Sequence, residues 1–429
     1  MVKALRILGL LSLFGVALAA CAAPRCEPEE ACDIRQKSCQ KRALRWAKCL
    51  READAKLDVD VKTVSAATLI DDRTRESEAG SDPHEDAFQK GLSLLDLAAL
   101  RTTRESVADQ VHWLGASYDP SEKSITVVDH GHALDTPGYM FMLVHEFVHA
   151  LQDESGGLST PTAPTYDAHL AMDAIVEGEA TVLEDEAASD GLGFDFGSVD
   201  YERILRDFRQ SSMSDAKYSE SFMDAAYREF SYAFGASYLW ERPGYRHNAR
   251  IAYKRPPVST FAVMEGDPEH FDAHPNDLGE EAVPVLDGLG PALHMHLGRF
   301  VYEGFTQRFM RHHHEDLGAL PRSPQRFLAD TFSVFERGGE VLVSWRVRFD
   351  DEGLCAQGLA YAFSQIDEAG RGYRVLRRGT DAILLIASDS LASWALPEDL
   401  EWTSADGPDF GIGLDAAPAR TRCALREHR

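Results

Sequence analysis

The run Leu143-Val144-His145-Glu146-Phe147-Val148-His149 sets two histidines four positions apart with a glutamate beside the first. On a helix, residues i and i+4 share a face, so both imidazoles can aim a nitrogen at one point. Met140, Val144, Phe147 and Leu151 recur around them at helical spacing, and Pro137 suits a helix start. The run is therefore expected on an amphipathic helix packed against a core. Converging imidazoles make a metal site, and zinc takes nitrogen and carboxylate donors in that geometry. Zinc lowers the pKa of a bound water towards ~7, and Glu146 is placed to take that proton and hand it on. The pattern points to metal-assisted hydrolysis. The bland alternative is two histidines and a glutamate on a partly solvated helix face.

A catalytic zinc wants a third protein ligand and an open fourth position. Glu177 is the best candidate, because the stretch from Ala171 to Leu183 has helix-forming composition and Gly178, beside the carboxylate, is expected to let the first helix come close. Glu179, two positions on, should point elsewhere. Glu184, Asp185 and Glu186 read by default as a solvated acidic face.

With these residues in view, the chain resembles the zincin metallopeptidases and, within them, the gluzincins. There the two histidines of a His-Glu-x-x-His helix are joined by a glutamate on the following helix, often followed by Gly and a small residue. Glu177-Gly178-Glu179-Ala180 matches that later pattern. The chain is also similar to a family of surface-anchored prokaryotic proteins with a His-Glu-x-Val-His-Ala-Leu-Gln-Asp helix and a Glu-Gly-Glu-Ala-Thr helix, here His145 to Asp153 and Glu177 to Thr181. A Tyr-x-x-Gly helix and a Pro-Pro-x-Ser-Thr turn of that family match Tyr232-Ala233-Phe234-Gly235 and Pro256-Pro257-Val258-Ser259-Thr260. The resemblance extends from Val61 to Ser388, strongest over the motifs. It implies zinc held by His145, His149 and Glu177, Glu146 as general base and acid, and a peptide substrate. One departure is Thr181, where many gluzincins carry an Asp that orients a zinc histidine. Support must then come from elsewhere, with Asp173 one turn earlier as a candidate. Tyr232 and His169 are candidates for stabilising a developing oxyanion.

The N-terminus says where this chemistry is expected. Lys3 and Arg6 precede an apolar run from Ile7 to Leu18, too short to span a bilayer comfortably and flanked like a secretory signal. It ends in Leu18-Ala19-Ala20-Cys21, which resembles the bacterial lipobox, whose Cys is lipidated and becomes the first residue after cleavage. Acyl chains on Cys21 would anchor the chain without a spanning helix. Ala22 after it, rather than Asp, resembles outer-membrane sorting in an organism with two membranes. Cys21 aside, six of the seven cysteines remain, an even number suited to an oxidising compartment: Cys26, Cys32, Cys39, Cys49, Cys355 and Cys423. The first four are expected to form two local bridges stapling a small helical hairpin within Glu27 to Leu50, and Cys355 would pair with Cys423. A zinc cluster of the first four is the competing reading, but none of their spacings is a CxxC pair.

The net charge of −26 argues against nucleic acid as a partner, since a phosphate backbone would be repelled. With 429 residues and 44% hydrophobic content there is ample core for one sizeable domain with appendages. Val59 to Leu69 reads as a strand, Asp71 to Asp86 as a charged loop, and Ala87 to Asp109 as helical. Ser124 to Val128 reads as a strand, Asp190 to Phe230 as broken helix, and Tyr232 to Trp240 as a buried helix; the resemblance to zincins implies that the first is an edge strand bordering the cleft. Further on, Val341 to Phe349 is a strand, Gly353 to Ile366 helical, and Tyr373 to Ala387 a β-hairpin. His312-His313-His314, and His294 with His296, fan out too far to share one ion.

The expected fold is α+β: a mainly helical zincin-like catalytic domain with a small edge-strand sheet, plus a small C-terminal α/β module. The expected divisions are 1–20 signal peptide, 21–52 lipidated Cys and Cys-rich helical segment, 53–310 catalytic domain and 311–429 C-terminal module. The function expected is that of a lipid-anchored extracytoplasmic zinc peptidase. Two alternatives stand beside it: a non-catalytic surface scaffold retaining a structural zinc, and an envelope maturation factor that cleaves a single partner.

Overall fold

The computed structural model describes residues 26–80, 83–99, 102–156, 158, 165–219, 221–242, 244–266, 291–310, 327–349, 373–378, 380–394 and 396. The chain is α+β. Among the described residues no helix is long and apolar enough to cross a membrane. The expected signal segment with Cys21, the His312 to His314 run, the Gly353 to Ile366 helix and the Cys355–Cys423 pair all lie outside the described residues.

The first helix, α1 (Lys37–Leu50), is held by two disulfides, Cys26–Cys49 and Cys32–Cys39. These are the two local bridges expected, and they set aside the metal-cluster reading. The expected helical hairpin is instead one helix with an irregular strap bridged to it. Its apolar residues Ile34, Ala43, Trp46, Ala47 and Leu50 are buried in one cluster with Met140, Val144, Phe147 and Val148. Trp46 meets Phe141 edge-on with ring centroids 6.1 Å apart. The apolar stripe of α1 is complete only against the helix that carries the two histidines.

Strand β1 (Asp60–Ser65) leads directly into α2 (Ala66–Ala79), and α3 (Pro83–Leu94) follows. The charged stretch expected as a loop is therefore mostly helix. Ser65 caps α2 by accepting from the Thr68 amide at 3.1 Å, and the charged residues lie on its exposed face, where polar side chains are compatible with helix. The helix expected from Ala87 to Asp109 is split, with α4 (Thr103–Trp113) starting at a capping box formed by Thr102 and Glu105. Strands β2 (Ala116–Asp119) and β3 (Ser124–Asp129) complete a three-stranded sheet in the order β1-β3-β2, with β1 parallel and β2 antiparallel to β3. The strand expected at the edge, β3, is central, because β1 arrives from far upstream and pairs with its free side. The edge strand packed against the histidine helix is β2, tied to it where the Tyr118 hydroxyl donates to Asp153 at 2.7 Å.

That helix is α5 (Pro137–Glu154), begun by Thr136 as cap and Pro137 in the first turn. It is buried around most of its circumference rather than amphipathic, and His145, Glu146 and His149 are among its buried residues. Next come α6 (Tyr166–Gly191), α7 (Tyr201–Tyr218), α8 (Phe222–Trp240), α9 (Tyr245–Lys254) and α10 (Thr260–Glu265). Helix α6 is the shared wall of two cores. Its Leu170, Ala171, Ala174 and Ile175 pack with α3, α8 and the large sheet, whereas Ala180, Leu183 and Ala187 pack with α1 and α5. Glu177 falls where one face gives way to the other.

The Pro-Pro-x-Ser-Thr turn fixes the start of this wall. Ser259 caps α10, while the Thr260 amide and hydroxyl donate to the buried Asp167 carboxylate at 2.7 and 2.6 Å in the first turn of α6. Strand β4 (Leu293–Met295) and α11 (Gly298–Met310) then lead to β5 (Phe327–Arg337), β6 (Glu340–Phe349), β7 (Tyr373–Arg378) and β8 (Asp381–Ala387). The last two form the expected hairpin. The five strands make an antiparallel sheet in the order β4-β5-β6-β8-β7. One face of it, with Phe332, Val334, Val343, Trp345 and Leu384, joins the core of α3, α6, α8 and α11; the other buries Phe335, Leu342 and Leu385 against Trp394. Strands from either side of residue 310 thus pair and share one core with α6.

Candidate metal centre

Three helices build the centre. Helix α5 offers His145 and His149 one turn apart on one face, and α6 brings Glu177 against them. Gly178 does not serve the approach of α5, as expected from sequence, but that of α8. One residue along a helix turns the side chain by about 100°, so Glu177 facing α5 leaves Gly178 facing its other neighbour. A Cβ on Gly178 would lie 2.3 Å from the Gly235 carbonyl carbon, and one on Gly235 would lie 1.8 Å from the Ala174 oxygen. The two backbones touch there, and Tyr232, one turn before Gly235, is set over the site with its ring stacked on His145 at 5.9 Å.

Three ligand atoms converge. His145 Nε2 is 3.0 Å from His149 Nε2 and 3.2 Å from Glu177 Oε2, and His149 Nε2 is 3.3 Å from the same oxygen. His145, His149 and Glu177 form a group that could hold a metal ion. The outer nitrogens decide which protons are present. His145 Nδ1 lies 3.0 Å from Glu184 Oε2, and a carboxylate can only accept, so Nδ1 carries the hydrogen. His149 Nδ1 lies 2.8 Å from Gln152 Oε1, whose amide nitrogen is committed to donating to the Val176 carbonyl at 2.9 Å and to Glu179 at 3.0 Å. In the neutral form both Nε2 atoms therefore present lone pairs to each other and to a carboxylate oxygen. Three lone pairs aimed at one point repel unless a cation sits among them.

The electrostatics carry the same demand for positive charge. Burial pushes both imidazoles down, but Glu177 and Glu184 outweigh it at His145 and Glu177 does so at His149, so each is held above the ordinary histidine range. Burial pushes the Glu177 carboxyl up, yet the two histidines hold it well below the usual carboxylate range. Glu146 is buried, and burial raises its carboxyl above the ordinary value. Its carboxylate takes part in no hydrogen bond among the described residues. Burial, and then the charges of Glu177 and Glu146, push the Tyr232 hydroxyl far up, which keeps it protonated as a donor.

The acidic row after Glu177 is not the solvated face its composition suggests. Glu184 orients His145. Asp185 accepts from the Tyr201 hydroxyl at 2.5 Å, with burial pushing its carboxyl up to about 6. Glu186 pairs with Arg246 at 2.9 Å. Seven residues beyond Glu177, Glu184 returns to nearly the same face after two turns, a periodicity that could have identified it. Asp173, the candidate support, pairs instead with His169 at 3.3 Å, and the side chain of His169 is half exposed. Thr181 serves its own helix, donating to the Glu177 carbonyl at 2.7 Å. His294 and His296 bond to Ser333 and to the Asp330 carbonyl, away from the centre.

Because Glu184 fixes the tautomer and direction of His145, Glu184→Ala is expected to weaken metal affinity by about 10- to 100-fold. Competition with a chromophoric chelator measures this, and an unchanged affinity would remove Glu184 from the site. Compared with known proteins, the chain matches no family model, no curated protein and no solved structure.

Proposed function

We propose that this chain is a zinc hydrolase of gluzincin type that cleaves peptide bonds, with zinc held by His145, His149 and Glu177. The observation that carries the reading is the triangle of three convergent donor atoms, His145 Nε2, His149 Nε2 and Glu177 Oε2. Tetrahedral zinc with bonds of about 2.0–2.1 Å spaces its ligand atoms roughly 3.3 Å apart, and the three separations here are 3.0, 3.2 and 3.3 Å. Two neutral imidazoles and one carboxylate are also the donor set of catalytic rather than structural zinc. The side chains of Glu177 and Glu184 keep 24% and 34% of their surface, so the cluster reaches solvent on one side. That openness favours catalysis over the scaffold with a sealed structural zinc.

Zinc bound there would acidify a water in its open position and polarise a carbonyl. Glu146, next in sequence to His145 and free of competing hydrogen bonds among the described residues, takes the proton of the attacking water and delivers it to the leaving amine. Its raised pKa brings it towards the range in which it can do both. Tyr232, held protonated beside Glu177 and His145, donates its hydroxyl hydrogen to the oxygen on which negative charge develops. Glu184 and Gln152 hold the ligand imidazoles in one tautomer, so the donor set needs no proton shuffling.

The proposed location is the bacterial cell envelope, anchored by acyl chains on Cys21. Two disulfides close to that position suit an oxidising compartment. Cys26, five residues on, is bridged to α1, so the tether from anchor to folded domain reaches at most about 18 Å. The test is hydrolysis of a mixed peptide library by the zinc-loaded full-length protein, read by mass spectrometry. New termini that vanish with a chelator and return with zinc are expected. No cleavage of any peptide would contradict a general peptidase. The Glu146→Gln form, used as a trap for a single partner, would then decide for or against the dedicated maturation enzyme.

A further inference from the structure

We propose that Arg51, at the end of the disulfide-stapled helix α1, is a positioning residue for His149, acting through Glu179 and Gln152. The inference rests on the metal-site reading above. Arg51 is the C-cap of α1, two residues after the bridged Cys49, and its side chain is almost buried. Its guanidinium grips Glu179 with two nitrogens, at 3.1 and 3.4 Å, and donates to the Leu151 carbonyl at 2.6 Å and to Ser155 Oγ at 3.3 Å. The last two partners are the C-terminal end of α5. One cation therefore donates to a closing carbonyl of the histidine helix and pairs with a buried carboxylate on the glutamate helix.

From Glu179 the chain of contacts leads inward. Glu179 Oε2 accepts from Gln152 Nε2 at 3.0 Å and from the Tyr253 hydroxyl at 2.8 Å. Gln152 Oε1 in turn accepts from His149 Nδ1 at 2.8 Å. An amide that donates to a carboxylate becomes a better acceptor at its oxygen, and an imidazole that donates to a better acceptor becomes a stronger donor at its other nitrogen. Arg51 holds Glu179 in register at the head of this relay. Its neighbour Glu52 turns the chain at φ 54° and pairs with Arg246 at 2.9 Å, which also holds Glu186. The end of α1 is thus fixed to α6 at two points, at Glu179 and, two turns on, at Glu186. The Cys26–Cys49 bridge holds the residues that make both contacts. On this account the N-terminal segment is a structural part of the metal centre rather than a spacer between anchor and enzyme.

The test compares zinc affinity, by chelator competition, and the d–d spectrum of the cobalt-loaded protein in the full-length wild type, Arg51→Met, and the pair Arg51→Met with Glu179→Gln. The pair avoids stranding a buried carboxylate, the change most apt to unfold the single variant. A loss of about tenfold in zinc affinity in both, with a shifted cobalt spectrum, is expected. A general loss of stability would not move the spectrum of the folded fraction. Wild-type affinity and an unchanged spectrum in the folded paired variant would overturn the positioning role while leaving the metal site intact. A wild type that binds neither ion would overturn the site and the relay together.

Discussion

Glu146→Gln is expected to lower turnover by about 10²- to 10⁴-fold while the protein keeps its zinc. Glutamine has the shape of glutamate and leaves the packing of α5 unchanged, but it cannot accept the proton of an attacking water or return one to the leaving amine. Metal should stay because the ligand atoms belong to His145, His149 and Glu177, and Glu146 takes no part in the triangle they form. The measurement is kcat on a cleaved peptide together with metal content of the same sample. Loss of both would make Glu146 a structural or ligating residue. Full activity with zinc retained would remove it from the chemistry altogether.

Gly235→Ala is expected to be the most destabilising single methyl that can be added near the site. The added Cβ would stand 1.8 Å from the Ala174 carbonyl oxygen and 2.6 Å from its carbon. Both are backbone atoms in mid-helix and cannot rotate away. Facing it, Gly178 already has the Gly235 carbonyl carbon at 2.3 Å from where its own Cβ would be. The variant can fold only if α6 and α8 separate, which loosens packing along both helices. Ordinary overpacking costs about 1–3 kcal/mol, and a rigid clash of this kind should reach the top of that range or exceed it. Separation would also lift Tyr232 from His145 and shift Glu177, so activity should fall together with the unfolding midpoint in urea. Wild-type stability in this variant would mean that the two helices are not in backbone contact.

The residues proposed to hold the metal were legible in sequence because helical periodicity fixes relations within a helix. His145 and His149 share a face of α5 whatever surrounds them. Glu177 could be found because it stood beside a glycine in a small-residue helix, although that glycine turned out to serve α8. What sequence hid were the partners whose role depends on how helices cross. Glu184 sat in a run of three acids that composition assigns to solvent, yet packing sends each of the three to a different side-chain partner. Gln152 and Glu179 looked unremarkable until α1 placed Arg51 beside them. The strand order β1-β3-β2 was equally hidden, since a pairing between distant segments leaves no local mark and makes the expected edge strand a central one. The charged stretch after Leu69 shows the converse error, because an exposed helix and a polar loop share a composition and differ in caps that are easy to overlook.

The most direct measurement is metal content per chain of the full-length protein, in wild type and in Glu177→Ala, after dialysis against a weak chelator and resupply of zinc. The account predicts close to one zinc per wild-type chain and a marked loss in the variant, because removing the carboxylate takes away one of three protein ligands and leaves two imidazoles. Folded wild type that holds no zinc even after resupply would contradict it.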